Sequence, residues 1–265
     1  MPSQTPDTDA DWEHFARVDP YYAVLTDEAF RQKALTDDAR SRFFQSGEGY
    51  VEYVVTTLQR LFGQHALKIA LDFGCGVGRI LFPLARRSTL AIGVDVSPTM
   101  LTECAHNAKQ FSLGNVALFP GDPDLSAVSE YVGKIDLITS VLVLQHIPPA
   151  RGVRLFARLV DLLAPGGRAA IQVTFASQLT NIAVESMTTT GIQYSFYQRI
   201  SDSAMIRLGG EATPGVMQMN HYNLNEMLCL LYQHGIRSTF LQIAEHAGGI
   251  FGVELYFHKP TAPQF

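Results

Sequence analysis

Apolar positions in this chain change spacing in a regular way between residues 68 and 175. Short apolar runs open at Ile69, Leu90, Val116, Ile135 and Ala169, and each reads as a buried strand. Between them, the stretches near 79–86, 98–110, 124–131 and 150–163 carry apolar residues at helical spacing. Alternation of this kind predicts an α/β fold, a doubly wound, mainly parallel sheet with helices on both faces. Further on, Leu224 to His234 reads as a last long helix stopped by Gly235. Ser238–Ala244 and Gly252–His258 read as two final strands joined through Gly248-Gly249. Before the alternating core, Val51, Val54, Val55, Leu58 and Leu61 predict a helix from about Tyr50 to Phe62, with Ser46-Gly47-Glu48-Gly49 as the turn preceding it. Residues 11–45 hold short amphipathic helical stretches with Trp12, Phe15, Phe30, Phe43 and Phe44, broken at Asp19-Pro20-Tyr21-Tyr22. The organisation expected is therefore a disordered tail of about ten residues, a helical cover to residue 47, and an α/β domain over 48–265.

Two features add chemistry. The first is Asp72-Phe73-Gly74-Cys75-Gly76-Val77-Gly78-Arg79, placed where the first strand should turn into a helix. Glycine there lets the backbone bend and approach a ligand without a Cβ in the way. A dinucleotide site asks for G-x-G-x-x-G. Counting from Gly74 its third glycine falls on Arg79, and from Gly76 on Leu81, so neither register fits. The second is Asp95, closing the second strand about 20 residues further on, where a carboxylate accepts hydrogen bonds from both hydroxyls of a ribose. Ser97-Pro98 then reads as an N-cap and first helical residue.

The acidic-x-Gly-x-Gly-x-Gly pattern resembles the first motif of the class I S-adenosylmethionine (AdoMet) methyltransferases. The run Val94-Asp95-Val96-Ser97-Pro98-Thr99-Met100 resembles the family's second-strand segment, Leu144-Gln145-His146-Ile147-Pro148 its segment after the fourth strand, and Ala164-Pro165-Gly166-Gly167-Arg168 its turn into the fifth. The resemblance is close over about 48–175 and looser beyond. It implies a seven-stranded Rossmann-like sheet whose last strand is antiparallel, N-terminal helices folded over the cofactor, S-adenosyl-L-methionine as methyl donor and S-adenosyl-L-homocysteine as product. It also implies a cofactor site built from Asp72, Gly74, Cys75, Gly76, Gly78, Arg79, Asp95, Val96, Met100, Gly121, Asp122, Val141 and Gln145. Asp122 is the expected adenine contact, with helix capping as the alternative. Arg79 reads as neutralising charge near Asp72 or Asp95, while Arg17 or Arg42 would pair with the cofactor's carboxylate.

Composition narrows the class. The net charge of −5 and the absence of a basic stripe argue against nucleic acid as substrate. No apolar run approaches the ~20 residues of a membrane helix. The N-terminus is polar and acidic, unlike a secretion signal, and the three cysteines are widely spaced. These features imply a cytoplasmic protein with no membrane partner. Residues 139–149 hold no acidic ligands of the kind a divalent metal needs, so no metal is expected.

The acceptor side is less defined. A hydroxyl acceptor must lose its proton, and histidine is the usual base. His146 and His221 are the candidates, with Tyr22, Tyr194, Tyr197 and Tyr222 as further acceptor-binding residues. His146 could instead pack against the cofactor, and His221 could cap the last helix. The segment 176–219 is far longer than a usual connection and reads as a partly helical substrate cap. Read as an oligomerisation insert, it would make the chain a homodimer. The function expected is methyl transfer from AdoMet to a small-molecule acceptor, a hydroxyl in preference to an amine. The alternatives are a non-catalytic AdoMet-fold scaffold and an N-methyltransferase of a small amine or peptide.

Overall fold

The computed structural model describes residues 8–177, 183–187, 191–201, 204–208, 219–246 and 249–261. Most of the expected tail, and Gly248 of the expected last turn, lie outside them. The chain opens with α1 (Thr8–Val18), α2 (Pro20–Val24) and α3 (Asp37–Phe62). The core then runs β1 (Ile69–Phe73), α4 (Leu81–Ala85), β2 (Leu90–Asp95), α5 (Pro98–Gln110), β3 (Val116–Pro120), β4 (Ile135–Ser140), α6 (Pro149–Leu162) and β5 (Leu163–Ser177). Next come β6 (Ala183–Met187), β7 (Gly191–Ser201), β8 (Ala204–Leu208) and β9 (Met219–Tyr222). The chain closes with α7 (Leu224–Gln233), β10 (Thr239–His246) and β11 (Ile250–His258).

Seven of these strands form one sheet in the order β10-β11-β5-β4-β1-β2-β3. Neighbours from β5 to β3 are parallel, and β11 runs antiparallel to both β5 and β10. The fold is the expected Rossmann-like, doubly wound one with a single reversed strand. Side-chain alternation explains the two layers. Leu71 and Phe73 of β1 join the apolar layer under α6 and α7, whereas Ala70 joins the layer under α3 and α4. Asp72 shares the face of Ala70.

Two elements differ from expectation. The turn at 46–49 does not exist: α3 is one helix of 26 residues, capped by Thr36, whose hydroxyl accepts the N–H of Ala39 at 3.2 Å. The division expected at residue 47 therefore falls inside a helix. Gly47 is there for packing, since a Cβ on it would lie 1.9 Å from the backbone oxygen of Arg79, while one on Gly49 would meet nothing within 4 Å. Gly47→Ala is accordingly expected to cost about 2–3 kcal/mol in urea unfolding. Gly49→Ala should gain up to about 1 kcal/mol from helix propensity. Equal effects at the two positions would reject this account of Gly47.

The second difference is the segment after β5. Its described residues hold no helix; β6, β7 and β8 form an antiparallel meander, and β9 pairs with Gly191–Tyr194 of β7 on the edge opposite β6, which it shares with β8. Tyr194 and Tyr197 fall on β7, and their side chains lie outside the described residues. The stretch is rich in Thr, Ile and aromatic residues, which suit a pleated surface better than a helix.

Candidate cofactor and acceptor site

The site begins where β1 ends. Gly74 has φ 76° and Gly78 φ 100°, a region that side-chain-bearing residues rarely adopt. Space is short as well: a Cβ on Gly74 would lie 2.3 Å from the Val143 side chain, and one on Gly78 would lie 2.2 Å from the Phe82 ring. The turn is tied to β2 through the N–H of Gly74, which donates to the Val94 carbonyl at 2.8 Å.

Asp95 holds the turn from the neighbouring strand. One carboxylate oxygen accepts the N–H of Gly76 at 2.8 Å, and the other accepts the N–H of Ser97 at 2.9 Å. Burial pushes its pKa up to about 6 against these bonds. Ser97 caps α5 as expected, its hydroxyl accepting the N–H of Met100 at 3.0 Å. Asp72 is buried on the opposite side of the turn, where its Oδ1 accepts the Thr139 hydroxyl at 2.9 Å. Burial raises it to about 7, while Thr139 and the guanidinium of Arg79 pull the other way. Arg79 is 7% exposed, and its Nε has no hydrogen-bond partner among the described residues.

These groups line one cavity of about 860 Å³, counted to its open mouth. Asp72, Gly74, Cys75, Gly76, Arg79 and Asp95 form its floor, with Val96 and Met100 on one side and Val141 on the other. Its wall past β4 continues through Leu142, Val143 and Ile147. The roof is α1, which sequence reading assigned to the helical cover without naming its contacts. Thr8, Asp9 and Trp12 line the cavity. Asp9 grips Arg151 at the start of α6 with two bonds of 2.7 and 2.8 Å. Glu13 receives the Ser97 and Thr99 hydroxyls at 2.6 and 2.7 Å. Burial opposes ionisation of Glu13, but these bonds outweigh it and hold the carboxyl at about 2. The helix thus bridges both walls.

Other expected residues lie elsewhere. The Asp122 carboxylate caps the 3-10 turn Ser126–Tyr131, accepting the N–H groups of Asp124 and Ser126, and does not line the cavity. Gly121 sits beside it, donating its N–H to the Asp95 carbonyl at 2.8 Å. Arg17 and Arg42 form exposed ion pairs with Glu13 and Asp38, so Arg79 is the cation that meets the cavity. Tyr22 is buried beneath the Arg31 guanidinium, 3.5 Å from its ring centre, and only the following Ala23 and Val24 reach the cavity.

Gln145 and His146 lie in the 3-10 turn Leu144–His146, with Gln145 Nε2 and His146 Nε2 3.1 Å apart. The His146 ring packs edge-on against Trp12 at 4.9 Å between centres, one side chain removed from the cavity. Strand β9 clamps this turn. The Tyr222 hydroxyl lies 2.8 Å from the carbonyls of both Leu144 and Ile147, and the Asn220 amide donates to the Gln145 carbonyl at 3.1 Å. Gly152 makes the room, since a Cβ on it would lie 1.8 Å from the Tyr222 hydroxyl. His221, between those two clamps, belongs to the other face of β9. Burial pushes its pKa down to about 4.

This sheet order and this glycine turn define the class I AdoMet-dependent methyltransferase fold. Residues 70–167 match the family model of a methyltransferase domain. The ubiquinone biosynthesis O-methyltransferase of Coxiella burnetii is 26% identical over 147 residues, 56% of each chain. Trans-aconitate 2-methyltransferase of Deinococcus radiodurans is 36% identical over 118 residues, 44% of this chain and 42% of its own. The chain thus spans about half the length of the curated relatives it matches. Among solved structures, the 1,6-didemethyltoxoflavin-N1-methyltransferase of Burkholderia thailandensis, with bound 1,6-didemethyltoxoflavin and S-adenosylhomocysteine, superposes with a TM-score of 0.57 at 17% identity. That match covers 98% of this chain and 92% of the other. Among the described residues no helix is long and apolar enough to cross a membrane.

Proposed function

We propose that this protein transfers a methyl group from AdoMet to a small-molecule acceptor, a hydroxyl in preference to an amine. The observation that carries the reading is the convergence of Asp95, Asp72 and Arg79 on one mostly apolar cavity. A zwitterionic nucleoside asks for that set. Asp95 has lone pairs to spare for ribose hydroxyls beyond its two backbone bonds. Asp72 suits the ammonium of the amino-acid end, and the unmet Arg79 Nε suits its carboxylate. Val96 and Met100 offer an apolar wall to the adenine. AdoMet supplies an activated methyl on a sulfonium, so the chain's own work is to position the acceptor, exclude water and take up a proton.

For that proton His146 is the better base. Its turn is fixed by Tyr222 and Asn220, and Trp12 connects it to the cavity. At about 4, His221 is too weak a base near neutrality. Through β9 the four-stranded unit supports the same turn, which fits an acceptor cover better than a remote dimerisation insert. The O-methyltransferase named among the relatives supports a hydroxyl acceptor.

The test has two parts. Calorimetric titration with AdoMet and S-adenosylhomocysteine should show binding by both; binding by neither removes the cofactor reading. Release of S-adenosylhomocysteine should then be screened across hydroxyl and amine acceptors. With a hydroxyl acceptor, His146→Gln is expected to lower turnover by about 10²–10⁴-fold, with AdoMet affinity kept within about threefold. Undiminished turnover at every pH rules out His146 as the base, and turnover confined to amines in the acceptor screen overturns the hydroxyl preference. Tight binding with no turnover on any acceptor favours the scaffold alternative.

A further inference from the structure

Leu142 lines the cavity with φ 62°, a left-handed conformation that a leucine holds only when its surroundings impose it. Its N–H is bound by a side chain of β5. The Gln172 side chain, buried on the sheet face under α3, accepts the N–H of Leu142 at 2.7 Å through Oε1. Its other end, Nε2, lies 2.5 Å from His246 Nε2 on the edge strand β10. Both groups cross Gly252 of β11, where a Cβ would lie 2.3 Å from His246 Nε2 and 3.0 Å from Gln172 Nε2. Val143, next to Leu142, is the residue that packs on Gly74 of the cofactor turn.

We propose that Gln172 is a positioning residue for the cavity wall 141–143, and that His246 fixes its orientation. The direction of every bond follows from one donor. A backbone N–H only donates, so the amide oxygen must face Leu142 and the NH2 must face His246. His246 Nε2 must then be the bare nitrogen, with the imidazole neutral and its proton on Nδ1. Protonating His246 sets donor against donor. Turning the amide over merely moves the conflict to Leu142, so one buried bond is lost either way. Burial already disfavours the charged form of His246.

The groups sharing its face are Glu254 and Tyr256 of β11 and Tyr50 and Tyr53 of α3. Glu254 accepts from Tyr50 and Tyr256, and Tyr53 donates to Gln242. Glu245 points to the opposite face of β10.

The inference rests on reading this cavity as the AdoMet site, and two measurements separate their failures. ¹⁵N NMR of His246 in the ligand-free protein should show the Nδ1–H tautomer. Gln172→Glu, whose carboxylate accepts at both ends, should raise the His246 pKa by about one unit or more. Calorimetry with S-adenosylhomocysteine at pH 6.5 should show affinity reduced about tenfold in Gln172→Leu and within about threefold of wild type in Gln172→Glu. An Nε2–H tautomer overturns the network. So does a folded Gln172→Leu that binds like wild type. A wild type that binds no S-adenosylhomocysteine overturns the cofactor reading instead, and the tautomer measurement still judges the network.

Discussion

Asp95→Ala is expected to weaken AdoMet binding by about 100-fold or more. Asp95 does two jobs with one carboxylate. Its bonds to the N–H groups of Gly76 and Ser97, at 2.8 and 2.9 Å, hold the cofactor turn to the start of α5. Its remaining lone pairs face the cavity, where a ribose would donate to them. Hydrogen bonds to a charged group are worth about 1.5–3 kcal/mol each. Losing even one ribose bond would account for about 10- to 100-fold in affinity, and losing the second or loosening the turn adds to that. Asp95→Asn keeps one acceptor oxygen and should fall between wild type and alanine. Calorimetry on variants with wild-type far-UV spectra is the check. An alanine variant within threefold of wild type would remove Asp95 from the site.

Where local chemistry decides an element, the sequence was readable. The range 98–110 expected for a helix is that of α5, because Ser97 and Pro98 start it through their own side chains. The glycine turn and Asp95 were legible for the same reason: the conformation and the carboxylate are needed within a few residues of each other in space. Gly47 misled because Ser-Gly-Glu-Gly has turn chemistry, while its true constraint is the Arg79 backbone, 32 positions away. A helical cover was expected from the family resemblance, but the contacts that seat it were illegible in the same sense. Asp9 and Arg151 stand 142 positions apart, and nothing local marks them as partners. A local signal was the chain's single tryptophan, in a short amphipathic helix, which now lies against both cavity and His146. Asp122 shows the converse. Its capping of the following turn was the local reading, and the family pattern had suggested a more distant role. The Gln172 network left no trace in any motif, because its members meet only after β10, β11 and β5 pair.

The cavity floor should also make the ligand-free protein less stable as pH rises. Asp72 sits at about 7 and Asp95 at about 6, both raised chiefly by burial. A carboxyl whose folded pKa lies above its unfolded value binds more protons in the folded state through the interval between the two. Its contribution is therefore complete below about pH 4 and is lost as pH rises to about 7. For Asp72 that loss is on the order of 4 kcal/mol. Asp72→Asn removes the titrating group while keeping an oxygen for Thr139, so the variant should be the more stable of the two at pH 8. Groups remote from the cavity titrate alike in both proteins, so the difference between their urea midpoints reports Asp72 together with its coupling to Asp95.

Cofactor should act in the opposite sense, because an ammonium beside Asp72 favours the carboxylate. Stabilisation by saturating S-adenosylhomocysteine should then be greater at pH 8 than at pH 5.5 in wild type. In Asp72→Asn it should be weak and nearly flat. Binding at pH 6.5 should release a proton, visible as a dependence of calorimetric heat on buffer ionisation enthalpy. Parallel midpoint curves for wild type and Asp72→Asn from pH 5 to 8, or binding heats independent of buffer, would show that Asp72 is already ionised in the free protein. At about 7, Asp72 is part protonated in the empty site near neutral pH, and the ammonium proposed to sit beside it would complete its ionisation, so the cofactor's charge would return the stability that burying the carboxylate costs there.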